Sequence, residues 1–169
     1  MAPLEIRMPP ETSAPVNTPA TDMNHLAQLV RALLSLSEKR GPIVPLGGTL
    51  FDVVLFAAGP QGDAVVRALD ELQQPHGCGP VIADPDSAWL CALVPPGTSK
   101  RSWSSPYGCC IGAGRVQLPP MQRRTPPGAH WLRPTQTTHL VGPVMLAQAL
   151  GEHRPRPVPS GPPAFRLFL

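Results

Sequence analysis

Apolar positions along the chain recur in two different periods. Leu26, Leu29, Val30, Leu33 and Leu34 fall at i, i+3, i+4, i+7 and i+8, with His25, Gln28, Arg31 and Ser35 off that line. Such spacing lays one apolar stripe along a helix and predicts helix over residues 22–38. Thr21 or Asp22 is suited to cap its start, and Gly41-Pro42 stops it. The period then changes. Phe51-Asp52-Val53-Val54-Leu55-Phe56 is a β-branched and aromatic run typical of a buried strand. Pro60 suits a first helical turn, and Val65, Val66, Leu69 and Leu72 carry a second helix over 60–73. Pro80–Ala83 and Ala88–Val94 read as two strands. The turn chemistry of Asp84-Pro85-Asp86-Ser87 between them makes a hairpin. Cys109 to Leu118 holds two short strand-like pieces bent at Gly112 and Gly114, and Trp131-Leu132 another. Val141–Leu150 gives a third helix over 142–151, with Pro143 in its first turn.

The order helix, β-α-β-β, β, helix predicts an α+β fold. Its centre is a small, mostly antiparallel sheet with a helix packed on one face. The chain's 169 residues suit one domain. Of its 25 prolines, five lie in residues 1–20 and five in 152–169. Few large apolar residues accompany them, so both stretches are expected to be disordered tails around a single domain at 21–151. Phe165, Leu167 and Phe168 are the exception, with the pattern of a short edge strand laid on the domain.

Net charge is +3, and Lys39 and Lys100 are the only lysines. Arg over Lys, with abundant Ala and Pro, points to GC-rich coding; +3 is too weak to establish a nucleic-acid partner. MAPLEIRMPPETSAP lacks the apolar segment of a leader, and no run approaches a membrane span. A cytoplasmic protein with reduced thiols and no membrane partner is expected.

Candidate chemistry is sparse. Gly108–Gly114 is glycine-rich but lacks the Lys-Ser/Thr of a phosphate loop, and reads as a tight strand pair. His76, Cys78, Cys109 and Cys110 offer donors without C-x₂-C spacing, so free thiols are expected rather than a metal. None of His25, His76, His130, His139 and His153 stands in a nucleophile context. Asp52 opens its strand rather than ending it, and Asp84 and Asp86 suit local turn bonds. No catalytic residue and no cofactor follow from this set. The basic residues Lys100, Arg101, Arg115, Arg123, Arg124 and Arg133 share one half of the chain with Trp103, Tyr107 and Trp131. Such a mixture holds phosphate and stacks bases. It nominates Arg115, Arg123, Arg124, Arg133 and Trp131 as a nucleic-acid surface, against the plainer reading of a solvated loop over three core aromatics.

Taken in order, Phe51-Asp52-Val53-Val54, Gly79-Pro80-Val81, Ala88-Trp89-Leu90, Gly114-Arg115-Val116-Gln117-Leu118-Pro119-Pro120 and Trp131 carry a likeness over residues 45–150. The chain resembles small actinobacterial proteins related to the N-terminal domain of bifunctional DNA primase/polymerases, the prim-pol branch of the archaeo-eukaryotic primases. In that family an F-D-V-hydrophobic-D-hydrophobic-D strand supplies metal-binding acids. A hairpin strand supplies a His, and a G-x-Y-V-V-A-P-P segment precedes a Trp. Here Leu55 and Ala57 stand where two acids would be, Ala88–Val94 holds no His, and the family's Cys/His segment ahead of the first strand is missing. Without those acids the means of holding catalytic Mg²⁺ is lost. The resemblance so altered implies a non-catalytic, degenerate relative that keeps a nucleic-acid-binding or regulatory role. The alternative is a module docking a partner protein through its surface or C-terminal tail. Residual primase/polymerase activity is the least supported.

Overall fold

The structure is a computed structural model that describes residues 19–35, 41–48, 50–86, 88–101, 103–135, 139–159 and 168. Its helices are α1 (Pro19–Ser35), α2 (Pro60–Leu72) and α3 (Pro143–His153). Its strands are β1 (Ile43–Pro45), β2 (Asp52–Ala57), β3 (Val81–Asp84), β4 (Trp89–Val94), β5 (Cys109–Ile111), β6 (Arg115–Gln117) and β7 (His130–Arg133).

All three helices start on proline, whose fixed φ fits the first turn and whose missing N–H would be unpaired there anyway. For α1 this moves the start ahead of the expected cap: Thr21 and Asp22 lie inside the helix. Its expected end at 36–38 lies outside the described residues. The second helix follows the expected span closely, and α3 continues two residues past residue 151. Gly62 lets α2 close on β2, since a Cβ there would sit 2.3 Å from the Ala57 carbonyl oxygen.

Five strands form one sheet in the order β5-β2-β4-β3-β7, every neighbouring pair antiparallel. Both β2 and β3 run opposite to β4, which lies between them, so they are parallel to each other. Joined by α2, they make a split β-α-β unit. The β3–β4 hairpin forms as expected, and the Asp86 amide donates to Asp84 Oδ1 at 3.1 Å across its turn. The tight pair expected within 109–118 does not form. Instead β5 pairs with β2, while β6 pairs with β1 in a separate two-stranded sheet. Gly112–Gly114 carries the chain from one sheet to the other.

Both faces of the larger sheet are covered, which corrects the expectation of a helix on one face. The six residues of β2 are all buried. Because side chains alternate along a strand, Val53, Leu55 and Ala57 enter one core with Ala27, Val30 and Leu34 of α1, Val44, Val116 and Trp131. Val54 and Phe56 enter the other, with Val65, Val66 and Leu69 of α2 and Leu146 and Leu150 of α3. A continuous apolar run instead of an alternating one is the sequence signature of that double burial.

The chain after α3 also packs on the domain. Pro155 is buried, and the Val158 amide donates to the Pro106 carbonyl at 3.0 Å. The Arg156 guanidinium lies 5.2 Å from the centre of the Trp89 ring, and Phe168 bridges Val116 of β6. Residues 154–159 lack helix and strand, but they are not a free tail, so the domain extends beyond residue 151. Phe168 makes an isolated antiparallel bridge, and the rest of the edge strand expected at Phe165–Leu169 lies outside the described residues. The expected tails at 1–18 and 160–164 lie outside the described residues.

Candidate functional site

The five nominated residues do not form one surface. Arg133, on β7, donates from Nε and Nη2 to both oxygens of Asp70 on α2, at 3.1, 3.2 and 2.6 Å. The Cys78 amide adds a bond to Asp70 Oδ1 at 3.0 Å. Burial pushes the Asp70 carboxyl up, but the bonds from Arg133 and the Cys78 amide outweigh it and hold the carboxyl below its ordinary value. The same hydrogen bonds raise Arg133. This guanidinium ties β7 to α2 and is not open to a phosphate. Trp131 is 2% exposed, and its Nε1 donates to the Pro119 carbonyl at 3.1 Å, so its ring is a core residue and not a stacking platform. Arg115, Arg123 and Arg124 stand in solvent.

The other candidates separate likewise. Leu55 and Ala57 are sealed in the first core. Cys78 and Cys91 are buried, and burial raises both thiols, Cys78 to about 12. Cys110 is raised to about 12, first by burial and then by the charge of Asp52. Among the described residues no three His, Cys, Asp or Glu side chains converge as a metal site would require. Among the described residues no helix is long and apolar enough to cross a membrane.

What the fold does assemble is a groove of about 770 Å³ between α1, the loop after β4 and the start of α3. Met23 and Leu26 line it from α1, Pro95, Pro96, Thr98, Arg101 and Trp103 from the loop, and Pro143, Val144 and Ala147 from α3. The loop wall is built from the core outward. Asp52 is buried at the start of β2, and its Oδ2 accepts from the Ser99 amide at 3.0 Å and the Ser99 hydroxyl at 2.9 Å. That anchors the 3₁₀ turn Thr98–Lys100. Thr98 Oγ1 donates to the Pro95 carbonyl at 2.6 Å, closing the turn from its other side. Gly112 is bare where a Cβ would lie 1.9 Å from Ser99 Oγ. Trp103 is fixed by its Nε1, which donates to the Gly108 carbonyl at 2.9 Å. A Cβ on Gly108 would meet Trp103 and Leu150 at 3.1 and 2.8 Å. Gly108 and Gly112 are therefore there for close packing, whereas Gly114 has open space around it and serves a positive φ of 86°.

Arg101 is the one charged side chain on the lining, it is exposed, and its guanidinium has no acidic partner among the described residues. Val144, which lines it from α3, is 80% exposed. An apolar trough with a fixed indole wall and one unpaired cation suits an apolar body carrying an anionic group. The groove is not announced by the sequence pattern. Its one local signal is a Trp standing between prolines in an otherwise polar stretch. Compared with known proteins, the chain matches no family model, no curated protein and no solved structure.

Proposed function

We propose that this domain is a binding module that takes an apolar, acid-bearing segment of a partner protein into the groove between α1, the 95–104 loop and α3. The observation that carries this reading is a groove lined by the fixed Trp103, the exposed Val144 and Arg101, which has no acidic partner among the described residues. A wall held in place before the ligand arrives loses little entropy on binding. Anilinonaphthalene sulfonate, an apolar body with one anionic group, is the probe. Arg101→Glu and Val144→Asp in the full chain should each weaken its binding by about tenfold, near 1.4 kcal/mol. Arg124→Glu should leave it unchanged. Equal affinity in all three variants would remove the groove from the account.

A second reading has one supporting observation. Arg115, Arg123 and Arg124 are exposed and could still hold phosphate. Retention on single-stranded DNA that falls steeply with salt, and falls further in the triple Ala variant, would favour it. Under either reading the domain binds without polymerising. The proposed kinship to a degenerate prim-pol domain rests on the sequence motifs alone, and template-dependent nucleotide incorporation with Mg²⁺ or Mn²⁺ would contradict the non-polymerising reading. The four free cysteines support a reducing, cytoplasmic setting.

A further inference from the structure

The loop between β4 and β5 carries several hydroxyls, and the fold commits nearly all of those described. Thr98 is buried, and its Oγ1 donates to the Pro95 carbonyl at 2.6 Å. The half-buried Ser99 donates its hydroxyl to Asp52 at 2.9 Å. Ser105 Oγ accepts from the Tyr107 amide at 3.3 Å, and Tyr107 itself packs against the second core. Ser104 is the exception: it is exposed, lines the groove and makes no hydrogen bond to another described residue. It sits in irregular backbone between two fixed points. One is Trp103, with its indole on the Gly108 carbonyl; the other is Pro106, whose carbonyl holds the Val158 amide. Arg101 stands three residues before Ser104 on the same lining, and Lys100, one residue earlier, is exposed as well. The Trp103 amide donates to the Arg101 carbonyl at 2.7 Å, a three-residue turn that shortens the path from Arg101 to Ser104. Even fully extended, that path is at most about 11 Å between Cα atoms, within the joint reach of the two side chains once Ser104 bears a phosphate.

Resting on the groove reading above, we infer that Ser104 is a phosphoacceptor and that its modification closes the groove to anionic ligands. An exposed, uncommitted hydroxyl in irregular chain can enter a kinase cleft. Basic residues on its N-terminal side are a charge pattern by which one class of protein kinase selects its substrates. A kinase of that class brings Mg²⁺ and ATP. The bond from Ser104 Oγ to the γ-phosphorus forms, and the bond from that phosphorus to the β,γ-bridging oxygen breaks. ADP leaves with the electron pair, and the hydroxyl proton passes to the kinase's catalytic aspartate. The product carries a charge of about −1.5 to −2 at neutral pH and three acceptor oxygens. It sets on the lining, in cis, the anion that Arg101 otherwise takes from a ligand, and it repels a second anion.

The test uses the full chain, Mg²⁺, ATP and a protein kinase that selects Arg three residues before its acceptor. Phosphopeptide mapping by mass spectrometry should place the phosphate on Ser104. Incorporation should be lost in Ser104→Ala and kept in Ser102→Ala, since Ser102 follows the same two basic residues. No incorporation, or incorporation that persists in Ser104→Ala, would overturn the assignment. The phosphorylated chain should then bind anilinonaphthalene sulfonate about tenfold more weakly than the unmodified chain, and phosphatase treatment should restore the affinity. Unchanged affinity after complete phosphorylation of Ser104 would overturn the closure. If dye binding to the unmodified chain still depends on Arg101 and Val144 in that case, the groove stands and only its regulation is wrong. If dye binding depends on neither residue, the groove reading fails and the closure fails with it, wherever the phosphate maps.

Discussion

Arg133 and Arg101 lie in the same basic half of the chain, yet the molecule uses them in opposite ways. Arg133 meets Asp70 with two nitrogens, and the Cys78 amide completes the carboxylate's partners, so the charge is consumed in joining β7 to α2. Arg101 stands on a groove wall with no acid beside it among the described residues. Two of the three tryptophans, Trp103 and Trp131, repeat the contrast. Each has its indole N–H on a backbone carbonyl, but Trp131 is sealed in the core while Trp103 shows a face to the groove. Neither residue type nor clustering along the sequence separates a structural group from a binding group. Whether the fold supplies a partner does.

The contrast can be broken at either member. The largest effect belongs to Trp131→Ala, which empties a core site and strands the Pro119 carbonyl. It should cost about 3–5 kcal/mol in chemical denaturation, whereas Trp103→Ala should cost well under half of that and abolish dye binding. Ending the chain at His153 removes the buried Pro155, the packed Val158 and the Phe168 bridge. A loss of about 2 kcal/mol, read as a melting temperature lower by roughly 4–8 °C, is expected; an unchanged midpoint would return residues 154–169 to the status of a free tail.

Removing the Arg133–Asp70 pair comes next. Arg133→Ala should cost about 1 kcal/mol, discounted because both side chains are about a third exposed (31% and 32%). This contribution depends on pH. The folded Asp70 carboxyl titrates below its unfolded value of 3.8, so the pair contributes in full above that value and is lost as pH falls through the folded one. Asp70→Asn should flatten the acid limb of the stability profile and change its neutral plateau only by the lost pair. The smallest stability effect is expected at Arg101: Arg101→Glu should stay within about 0.5 kcal/mol of the parent while weakening the dye about tenfold.

The fold was legible wherever a local period carried it. The stripe through Leu26, Val30 and Leu34 and the β-branched run at Phe51–Phe56 each announce one element without help from the rest of the chain. The missed strand, β1, has two apolar residues between Pro42 and Pro45, too few for any period. It forms because Val44 can pair with Val116, far away in sequence. Double burial of the sheet was present in the unbroken apolarity of β2 but needed the second layer to be understood. The site was not legible, because its geometry is wholly non-local. Asp52 fixes Ser99 across 47 residues, Asp70 consumes Arg133 across 63, and the groove joins three distant segments. Those separations leave no mark on composition or spacing.

The most direct test of the groove is a map of where a ligand lands. Backbone amide shifts of the full ¹⁵N-labelled chain, followed during titration with anilinonaphthalene sulfonate, would supply it. Shifts concentrated at residues 23–26, 95–104 and 143–147, and lost in Arg101→Glu, are the predicted result. Shifts concentrated at Arg115, Arg123 and Arg124, or scattered evenly over the domain, would contradict it.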